Sequence, residues 1–351
     1  MAKDLKGKKV EFDIRSKIQA KQKVRAGLDI GANSVKVVEI AEPGGKAELA
    51  GISQKTIAEP SKRAAIDAIQ AAVAEAKIAS KDFAISVSGS FVIVRFLTLP
   101  RMSEEELKSA VRFEAEKFIP FNINDCVIDF QILAKREREN KIDILLVTAK
   151  KDHVTEKIKM VEDSGFSVRV VDVDTFALAN AFLKNFPAAD AEKTFALLDI
   201  GSKITNLSII KAGSVRLVRD VAVGGNDFNV AISKSFGVDM DAAEKLKVSP
   251  PAEKANEVAN CVKGVFNNLI DEMRLPLSYY ENQFGRSVDE IYLSGGAVDF
   301  AGLEDMFRDA LELKPLFWNP FQFLAVPSGK DADFLERMKS HFAVAVGLAL
   351  R

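Results

Sequence analysis

The stretch Gly27-Leu28-Asp29-Ile30-Gly31-Ala32-Asn33-Ser34-Val35-Lys36-Val37-Val38 is the one around which the rest of the chain is organised. An apolar strand runs into Asp29 and Gly31, small or polar residues follow, and a second apolar strand leads away. This pattern predicts a β-hairpin with an acidic residue at its bend. Glycine allows a sharp bend in which backbone N–H groups approach an anion. Because a carboxylate repels phosphate, Asp29 indicates a bridging Mg²⁺ held through its waters.

The same pattern recurs at Leu197-Leu198-Asp199-Ile200-Gly201-Ser202-Lys203-Ile204-Thr205-Asn206-Leu207-Ser208. A single Asp-x-Gly bend is usually an ordinary turn at the end of a strand. A second copy, about half a chain away, indicates internal duplication instead. We therefore expect two hairpins that close from opposite sides on one nucleotide–metal complex.

A third stretch, Ile291-Tyr292-Leu293-Ser294-Gly295-Gly296-Ala297, is an apolar strand that runs into a Gly-Gly bend before a helix. In order, the three stretches resemble the phosphate-1, phosphate-2 and adenosine motifs of the actin-like ATPase superfamily. The resemblance implies an α/β fold of two duplicated RNase H-like lobes that bind ATP and Mg²⁺ between them.

Composition excludes several other classes of protein. The chain has 351 residues, is 48% hydrophobic and carries a net charge of −1, which suggests two or three domains and no field that attracts nucleic acid. Cys126 and Cys261 are far apart, and two histidines are too few for a typical zinc site. No apolar run reaches the roughly 18 residues that span a bilayer, and no signal peptide opens the chain. These features predict a cytoplasmic protein.

The family-level signal lies in the first half of the chain. The stretches are Leu99-Pro-Arg-Met-Ser-Glu-Glu-Glu-Leu107, Arg112-Phe-Glu-Ala-Glu-Lys-Phe-Ile-Pro-Phe121 and Asp129-Phe-Gln-Ile132, with Asn319-Pro320-Phe321 near the end. They resemble the signature of the PilM family, which are FtsA-like, actin-fold proteins of type IV pilus assembly. The resemblance covers residues 25–351 and implies an FtsA-type α+β subdomain inserted into the first lobe.

On this basis the chain divides into five parts. Residues 1–24 are basic, and we expect either a mobile tail or weak attraction to an anionic membrane surface. The others are a first lobe (25–98, 166–192 and 336–351), an inserted subdomain (99–165), a second lobe (193–223 and 288–335) and a nucleotide-side subdomain (224–287).

Several helices are predicted from their periodicity. Lys62 to Ala79 is alanine-rich with one apolar stripe, and Ser103 with Glu106 forms a capping box for the helix that follows. A stripe from Val258 to Met273 predicts a core helix, which Pro276 should kink or end. The small residues after Phe342 predict a closely packed helix that resembles the superfamily's second connecting helix.

The resemblance also implies roles for residues of the two hairpins. Asp29 and Asp199 would hold metal-bound waters, and Lys36 would neutralise a β- or γ-phosphate. The remaining residues of the hairpins would surround the phosphates, and paired glycines would leave room for the adenine. These residues are Gly31, Ala32, Asn33, Ser34, Gly201, Ser202, Lys203, Thr205, Gly295, Gly296 and Ala297. Ser202 and Lys203 depart from the actin pattern.

Three further residues have two interpretations each. Glu244 and Lys247 resemble the pair that contacts the ribose and base, but three-residue spacing also fits a solvated ion pair on a helix. Asp174 either positions the attacking water or simply caps a helix. Since it is the only water-positioning candidate, we expect turnover below about 1 s⁻¹, weak or slow at most. ATP would then act as a structural or switching ligand in a hinge closure.

The resemblance implies a cytoplasmic ATP-binding protein of the type IV pilus inner-membrane platform, which supports twitching motility. It would bind the cytoplasmic N-terminus of PilN in a groove between the first lobe and the inserted subdomain. Contact with the membrane would be indirect, through PilN and other platform proteins. The alternative is an FtsA-like filament-forming protein or a scaffold without ATP turnover, although the chain stops at Arg351 without an amphipathic membrane helix. A sugar kinase is disfavoured because sugar-reading polar residues are missing.

Overall fold

The computed structural model describes residues 24–186 and 191–351. The predicted basic tail therefore lies, apart from Val24, outside the described residues. The strands are β1 (Arg25–Ile30), β2 (Ser34–Ala41), β3 (Glu48–Thr56), β4 (Asp82–Val87), β5 (Val92–Pro100), β6 (Cys126–Arg136), β7 (Lys141–Lys150), β8 (Ser167–Val173), β9 (Thr194–Ile200), β10 (Thr205–Lys211), β11 (Ser214–Val221), β12 (Glu290–Ser294) and β13 (Leu316–Phe317). The helices are α1 (Lys62–Ala76), α2 (Glu104–Glu116), α3 (Lys151–Asp163), α4 (Asp174–Asn185), α5 (Gly225–Phe236), α6 (Met240–Val248), α7 (Ala255–Phe284), α8 (Leu303–Leu311), α9 (Ala332–Met338) and α10 (Ala343–Ala349).

Two five-stranded sheets share one topology. The first has the order β3-β2-β1-β4-β8, and the second has the order β11-β10-β9-β12-β13. In the first sheet β1 and β2 form an antiparallel hairpin, and β4 and β8 run parallel to β1. In the second sheet β9 and β10 form an antiparallel hairpin, and β12 and β13 run parallel to β9. The predicted duplication and the actin-like α/β fold are therefore confirmed.

Two small-residue helices, α4 and α10, pack against each other beside the first sheet. A β-carbon added at Gly347 would lie 1.7 Å from the carbonyl oxygen of Ala177, so α10 can approach α4 only because this position has no side chain. Gly27 on β1 is similarly close to α10, since its β-carbon would lie 2.3 Å from the carbonyl oxygen of Ala345. The predicted close packing of the final helix is confirmed.

A separate three-stranded sheet, ordered β5-β7-β6, forms the inserted subdomain together with α2. The capping box of α2 is present, with Ser103 and Glu106 each bonded to the other's backbone N–H. The sheet extends beyond the predicted segment 99–165, because β5 begins at Val92. Helix α3 falls inside that segment, yet its Val154 and Val161 belong to the core of the first lobe.

Two helix predictions differ from the structure. Helix α1 ends at Ala76 rather than Ala79, because Lys77 adopts a left-handed conformation with φ of 54°. Helix α7 runs through Pro276, so of the two effects predicted for this proline the helix end is wrong. Within the described ranges, none of the helices is both long enough and apolar enough to cross a membrane. Cys126 and Cys261 do not form a disulfide.

Candidate functional site

The bends of the two hairpins are closed in the same way. The backbone N–H of Gly31 donates to the carbonyl of Ser34 at 3.0 Å, and that of Gly201 donates to the carbonyl of Ile204 at 2.9 Å. Each bend follows the strand that carries its aspartate, β1 for Asp29 and β9 for Asp199. The equivalence seen in the sequence therefore extends to the backbone geometry.

Helix α5 fixes the bend of the second hairpin. The backbone N–H groups of Gly225 and Asn226 donate to the carbonyls of Gly201 and Ser202, each at 2.8 Å. A β-carbon at Gly224 would lie 2.7 Å from the backbone nitrogen of Lys203, so glycine is required for this approach. Sequence reasoning did not assign these contacts to the Gly224-Gly225 pair.

A side-chain hydrogen bond joins the bend of the first hairpin to helix α5. The Asn33 amide donates to the Oδ1 of Asn226 at 2.9 Å, although the two residues are 193 positions apart in the chain. Asn33 lies on the first hairpin and Asn226 on α5, which supports the second hairpin. The two halves of the candidate site therefore face each other.

The carboxylates and lysines of the cleft interact electrostatically. The Lys36 Nζ lies 3.0 Å from the Oδ2 of Asp29, and both side chains are largely buried. Burial alone would lower the pKa of Lys36, but the charges of Asp29, and more weakly Asp199 and Asp174, outweigh burial and raise it. The sequence-predicted residues Asp29, Lys36, Asp174 and Asp199 are thus brought together.

Burial and mutual repulsion make the carboxylates easier to protonate. Burial raises the pKa of Asp199 to about 6, with a further rise from Asp29, although the Ser294 hydroxyl donates to its Oδ1 at 2.9 Å. Burial, and then the charge of Asp29, also raises the pKa of Asp174. Perturbed carboxyls in a cleft are typical of functional sites.

Asp174 is the first residue of α4, and the helix has no side-chain cap. The hydroxyls of Ser86 and Ser88 bond to its carboxylate. The helix-cap interpretation of Asp174 therefore does not describe its contacts, which lie within the cleft.

Lys157 is a site residue that the sequence analysis missed. It comes from α3, and its ammonium donates to the carbonyl of Ile30, 127 positions away, at the end of β1. Burial lowers its pKa, partly offset by the nearby charges of Asp174 and Asp29. Nothing local in the sequence of α3 distinguishes Lys157 from the other lysines of that helix.

The donor set fits a magnesium ion held through water. Among the described residues, no group of three or more His, Cys, Asp and Glu side chains is arranged to hold a metal directly. The charge of Asp29 nevertheless raises the pKa of Asp174 and of Asp199, and the charges of all three carboxylates raise the pKa of Lys36. A divalent cation would offset this repulsion, and Mg²⁺ usually keeps several waters between itself and carboxylates.

The residues predicted to contact the nucleoside surround the N-terminus of α5. A β-carbon at Gly225 would lie 3.0 Å from the β-carbon of Ala297 and 3.4 Å from the Nζ of Lys247. Lys247 donates to Glu244 at 2.6 Å, and Asn229 donates to the same Glu244 oxygen at 2.6 Å. The Lys247 side chain is 2% exposed and that of Glu244 is 46% exposed, so only the lysine end of the pair is withdrawn from solvent.

Three predicted residues have neighbours that differ from the expectation. A β-carbon at Gly295 would lie 2.4 Å from the carbonyl oxygen of Ile200, so this glycine allows β12 to approach the second hairpin. Gly296 faces the ring of His341. Thr205 is fully buried, and its hydroxyl donates to the carbonyl of Val223 at 2.8 Å. These three residues therefore contact neighbouring parts of the protein that support the site.

Comparison with known proteins gives a family match over most of the chain. Residues 27–351 match the family described as type IV pilus assembly protein PilM. A chain from a solved structure, the PilM-PilN type IV pilus biogenesis complex, is 28% identical and superposes with a TM-score of 0.84. That alignment covers 94% of this chain and 99% of the other.

More distant relatives share the fold. The ethanolamine utilization protein EutJ of Salmonella typhimurium is 24% identical over 151 residues, which are 43% of this chain and 48% of that protein. The chain thus spans about half the length of this curated relative. The structure of EutJ from Carboxydothermus hydrogenoformans is 14% identical with a TM-score of 0.54, covering 94% of this chain and 90% of that one.

Proposed function

The chain belongs to the type IV pilus assembly protein PilM family, and on that premise we propose that it binds Mg-ATP between its lobes and docks the cytoplasmic N-terminus of PilN. It would work in the cytoplasm, peripheral to the inner membrane, as part of the pilus assembly platform. The relative in the PilM-PilN complex supports this partner, since it aligns along almost its whole length.

One observation carries the nucleotide proposal: two equivalent hairpins bring Asp29 and Asp199 to the same cleft. Lys36 would neutralise phosphate charge, and the backbone around Gly31 and Gly201 would line the phosphate path. Lys247 and Glu244 would lie on the nucleoside side. Mg²⁺, when bound, would shield the phosphate charge from the carboxylates.

Slow turnover remains our expectation for this site. Asp174 has the hydroxyls of Ser86 and Ser88 as partners and lies near Lys157, so it can orient a water molecule. A raised pKa makes Asp174 a better base, but in-line attack on a γ-phosphate depends mostly on positioning. We propose that ATP serves chiefly as a structural or switching ligand, which steady-state phosphate release at saturating Mg-ATP measures.

The surface proposed for PilN is the Phe91 surface, formed by Phe91, Phe121, Lys150 and His153 where the inserted subdomain meets α3. Phe91 is 42% exposed. Its ring lies 6.3 Å from that of Phe121 and 5.3 Å from that of His153, and the Lys150 ammonium lies 5.6 Å from its centroid. The location agrees with the groove that the family resemblance implies.

A buried nitrogen on this surface supports a polar contact with the peptide. The Nε2 of His153 is buried and has no hydrogen-bond partner in the described ranges. Burial, and then the charge of Lys157, lowers the pKa of this imidazole, so the ring is neutral. A peptide that covers Phe91 would gain apolar burial, and rotation of the His153 ring would let its unpartnered nitrogen bond to the peptide.

Phe91→Ser should weaken binding of a peptide of the first 20 or so PilN residues at least tenfold, because an apolar anchor is lost. Phe113→Ser is the matched control, since Phe113 is a 64% exposed phenylalanine on α2 and is not among the described ring contacts of Phe91. Titration by isothermal calorimetry measures both variants. Equal affinity of the Phe91 variant and the unchanged protein would show that PilN docks elsewhere.

A further inference from the structure

A cavity of about 570 Å³ lies on another part of the inserted subdomain and plays no part in the function proposed above. The inserted sheet lines one side through β5, β6 and β7, and the second lobe and the nucleotide-side subdomain line the other through β11 and the end of α7. We call it the arginine cavity. It includes neither the nucleotide residues nor those of the Phe91 surface.

The floor of the arginine cavity is apolar and accessible. Leu275 is 70% exposed and Tyr279 58% exposed, both on α7, and Phe284 at the end of that helix is 45% exposed. Leu133 from β6 is 37% exposed on the facing wall. Large apolar side chains that converge on a concave surface mark an interaction site more often than isolated exposed residues do.

The rim of the arginine cavity is cationic. Arg95, Arg136, Arg216 and Arg219 line it with a single acidic residue, Asp143. Arg136 already pairs with Asp143 at 2.7 Å. In the part of the chain that the structure describes, Arg95, Arg216 and Arg219 have no ion-pair partner. Arg95 donates to the carbonyl of Val94 at 2.9 Å and lies over the ring of Phe118, and Arg219 interacts electrostatically with Asp220, but none of the three guanidinium groups forms a salt bridge with a described carboxylate.

The arginines come from facing walls. Burial, and then the charge of Arg219 on β11, lowers the pKa of Arg95 on β5, while Tyr279 on α7 acts in the opposite direction. These three residues therefore lie near one another across the cavity. Like charges held together in this way favour a ligand that brings negative charge between them.

Two of the strands that line the arginine cavity, β5 and β11, are sheet edges. Among the strands of the described residues, β5 pairs only with β7, and β11 pairs only with β10. An edge strand offers unpaired backbone groups to an extended peptide, while side-chain pockets supply selectivity. The backbone therefore favours an extended segment as the occupant.

We propose that the arginine cavity is a second docking site, which binds an extended acidic segment of a partner protein whose apolar side chains contact Leu275 and Tyr279 and whose carboxylates pair with Arg95, Arg216 and Arg219. Charge complementarity decides the occupant. Residues 1–24 of this chain are rich in lysine and arginine, so the arginine rim repels them.

The test uses two fluorescein-labelled synthetic peptides of eight residues, the length of β11. One alternates Leu with Glu, and the other alternates Leu with Lys. Fluorescence anisotropy should show that the unchanged protein binds the Glu peptide at least tenfold more tightly at low salt. The difference should shrink as salt is added, because exposed charges are screened.

Arg216→Glu should weaken binding of the Glu peptide about tenfold, and Leu275→Ser should weaken it as well, with melting temperatures verifying that both variants fold. Arg138→Glu is the matched control, because Arg138 changes the net charge equally but lies outside the cavity. Equal binding of the two peptides, or an equal loss in the Arg138 variant, would overturn the proposal. So would displacement of the Glu peptide by the PilN peptide, which would show that the site is not a second one.

Discussion

Three aspartates and two lysines meet where the hairpins bend, and their charges explain why the site favours a cation. Burial raises the pKa of Asp174 and of Asp199, and Lys36 forms an ion pair with Asp29. Such an arrangement is costly without a ligand, because desolvated like charges repel. We therefore expect these charges to lower the stability of the nucleotide-free protein and to raise its affinity for Mg-ATP.

The pH dependence of the free energy of unfolding tests whether ionised Asp199 destabilises the nucleotide-free protein. Its pKa in the folded protein is about 6, above its ordinary value of 3.8. A carboxyl of this kind contributes stability that is fully present below about pH 3.8 and is lost as pH rises through about 6. Asp199→Asn should reduce the loss in free energy of unfolding between about pH 4.5 and pH 7.5, measured with urea.

Some pH dependence should remain in that variant, because burial also raises the pKa of Asp220 to about 6. Asp220 accepts a hydrogen bond from the backbone N–H of Gly89 at 2.7 Å and lies on β11. An unchanged pH dependence in the Asp199 variant would contradict the assignment of a raised pKa to this residue.

Lys157 should discriminate ATP from ADP. Its ammonium donates to the carbonyl of Ile30 and has no ion-pair partner among the described residues, so it can take a phosphate oxygen. If the lysine contacts the γ-phosphate, Lys157→Met should weaken the binding of ATP at least tenfold and the binding of ADP much less. Lys159→Met, an exposed lysine on the same helix, is the control. An equal loss of affinity for ATP and ADP would show that Lys157 only supports the first hairpin and does not contact the γ-phosphate.

The sequence allowed Asp29, Lys36 and Asp199 to be found but not Lys157. The first three belong to short local patterns, in which a strand, a bend and a strand are contiguous. Lys157 reaches the site only because α3 packs beside β8 and brings a residue to Ile30 from 127 positions away. Periodicity within a helix predicts which face is buried, but it does not identify the distant backbone atom that one lysine contacts.

Helix α10 illustrates how a single missing side chain permits an interface between elements. Gly347 lies against the backbone of Ala177 on α4, where a β-carbon would be 1.7 Å from the carbonyl oxygen. Gly347→Ala should destabilise the protein by about 1–3 kcal/mol or more, since backbone must move to relieve the overlap. Thermal and urea unfolding measure this loss.

Gly264 provides the opposite control within α7. No atom lies within 4 Å of a β-carbon built there, so alanine meets open space. Gly264→Ala should stabilise the protein by up to about 1 kcal/mol through helix propensity alone. Similar effects of the two substitutions would show that the packing of α10 on α4 tolerates a larger residue.

The sequence predicted the inserted elements better than their boundaries. The capping box of Ser103 and Glu106 indicated α2, but a local pattern does not reveal the sheet with which a strand pairs. Strand β5 pairs with β7, whereas α3 packs with the first lobe. A deletion of residues 99–165 would remove Val154 and Val161 from that core and cut β5, so point substitutions are the better test of docking.

The whole molecule is two copies of one topology held together around a cleft. Contacts cross between the copies at Asn33 with Asn226, and His341 bonds to both Gln54 and Asp299. The duplication was visible in the sequence because both hairpins kept their aspartate and glycine. The crossing contacts were not, because each joins residues that are distant along the chain.

If both hairpins close on one Mg-ATP, the melting temperatures of the unchanged protein and of two variants should show it. Mg-ATP at 100 times its dissociation constant should stabilise the unchanged protein by about 2.7 kcal/mol and raise its melting temperature by several degrees. Asp29→Ala and Asp199→Ala should each abolish most of that shift while leaving the nucleotide-free protein folded. A full shift in both variants would contradict the account of a metal held between the two hairpins.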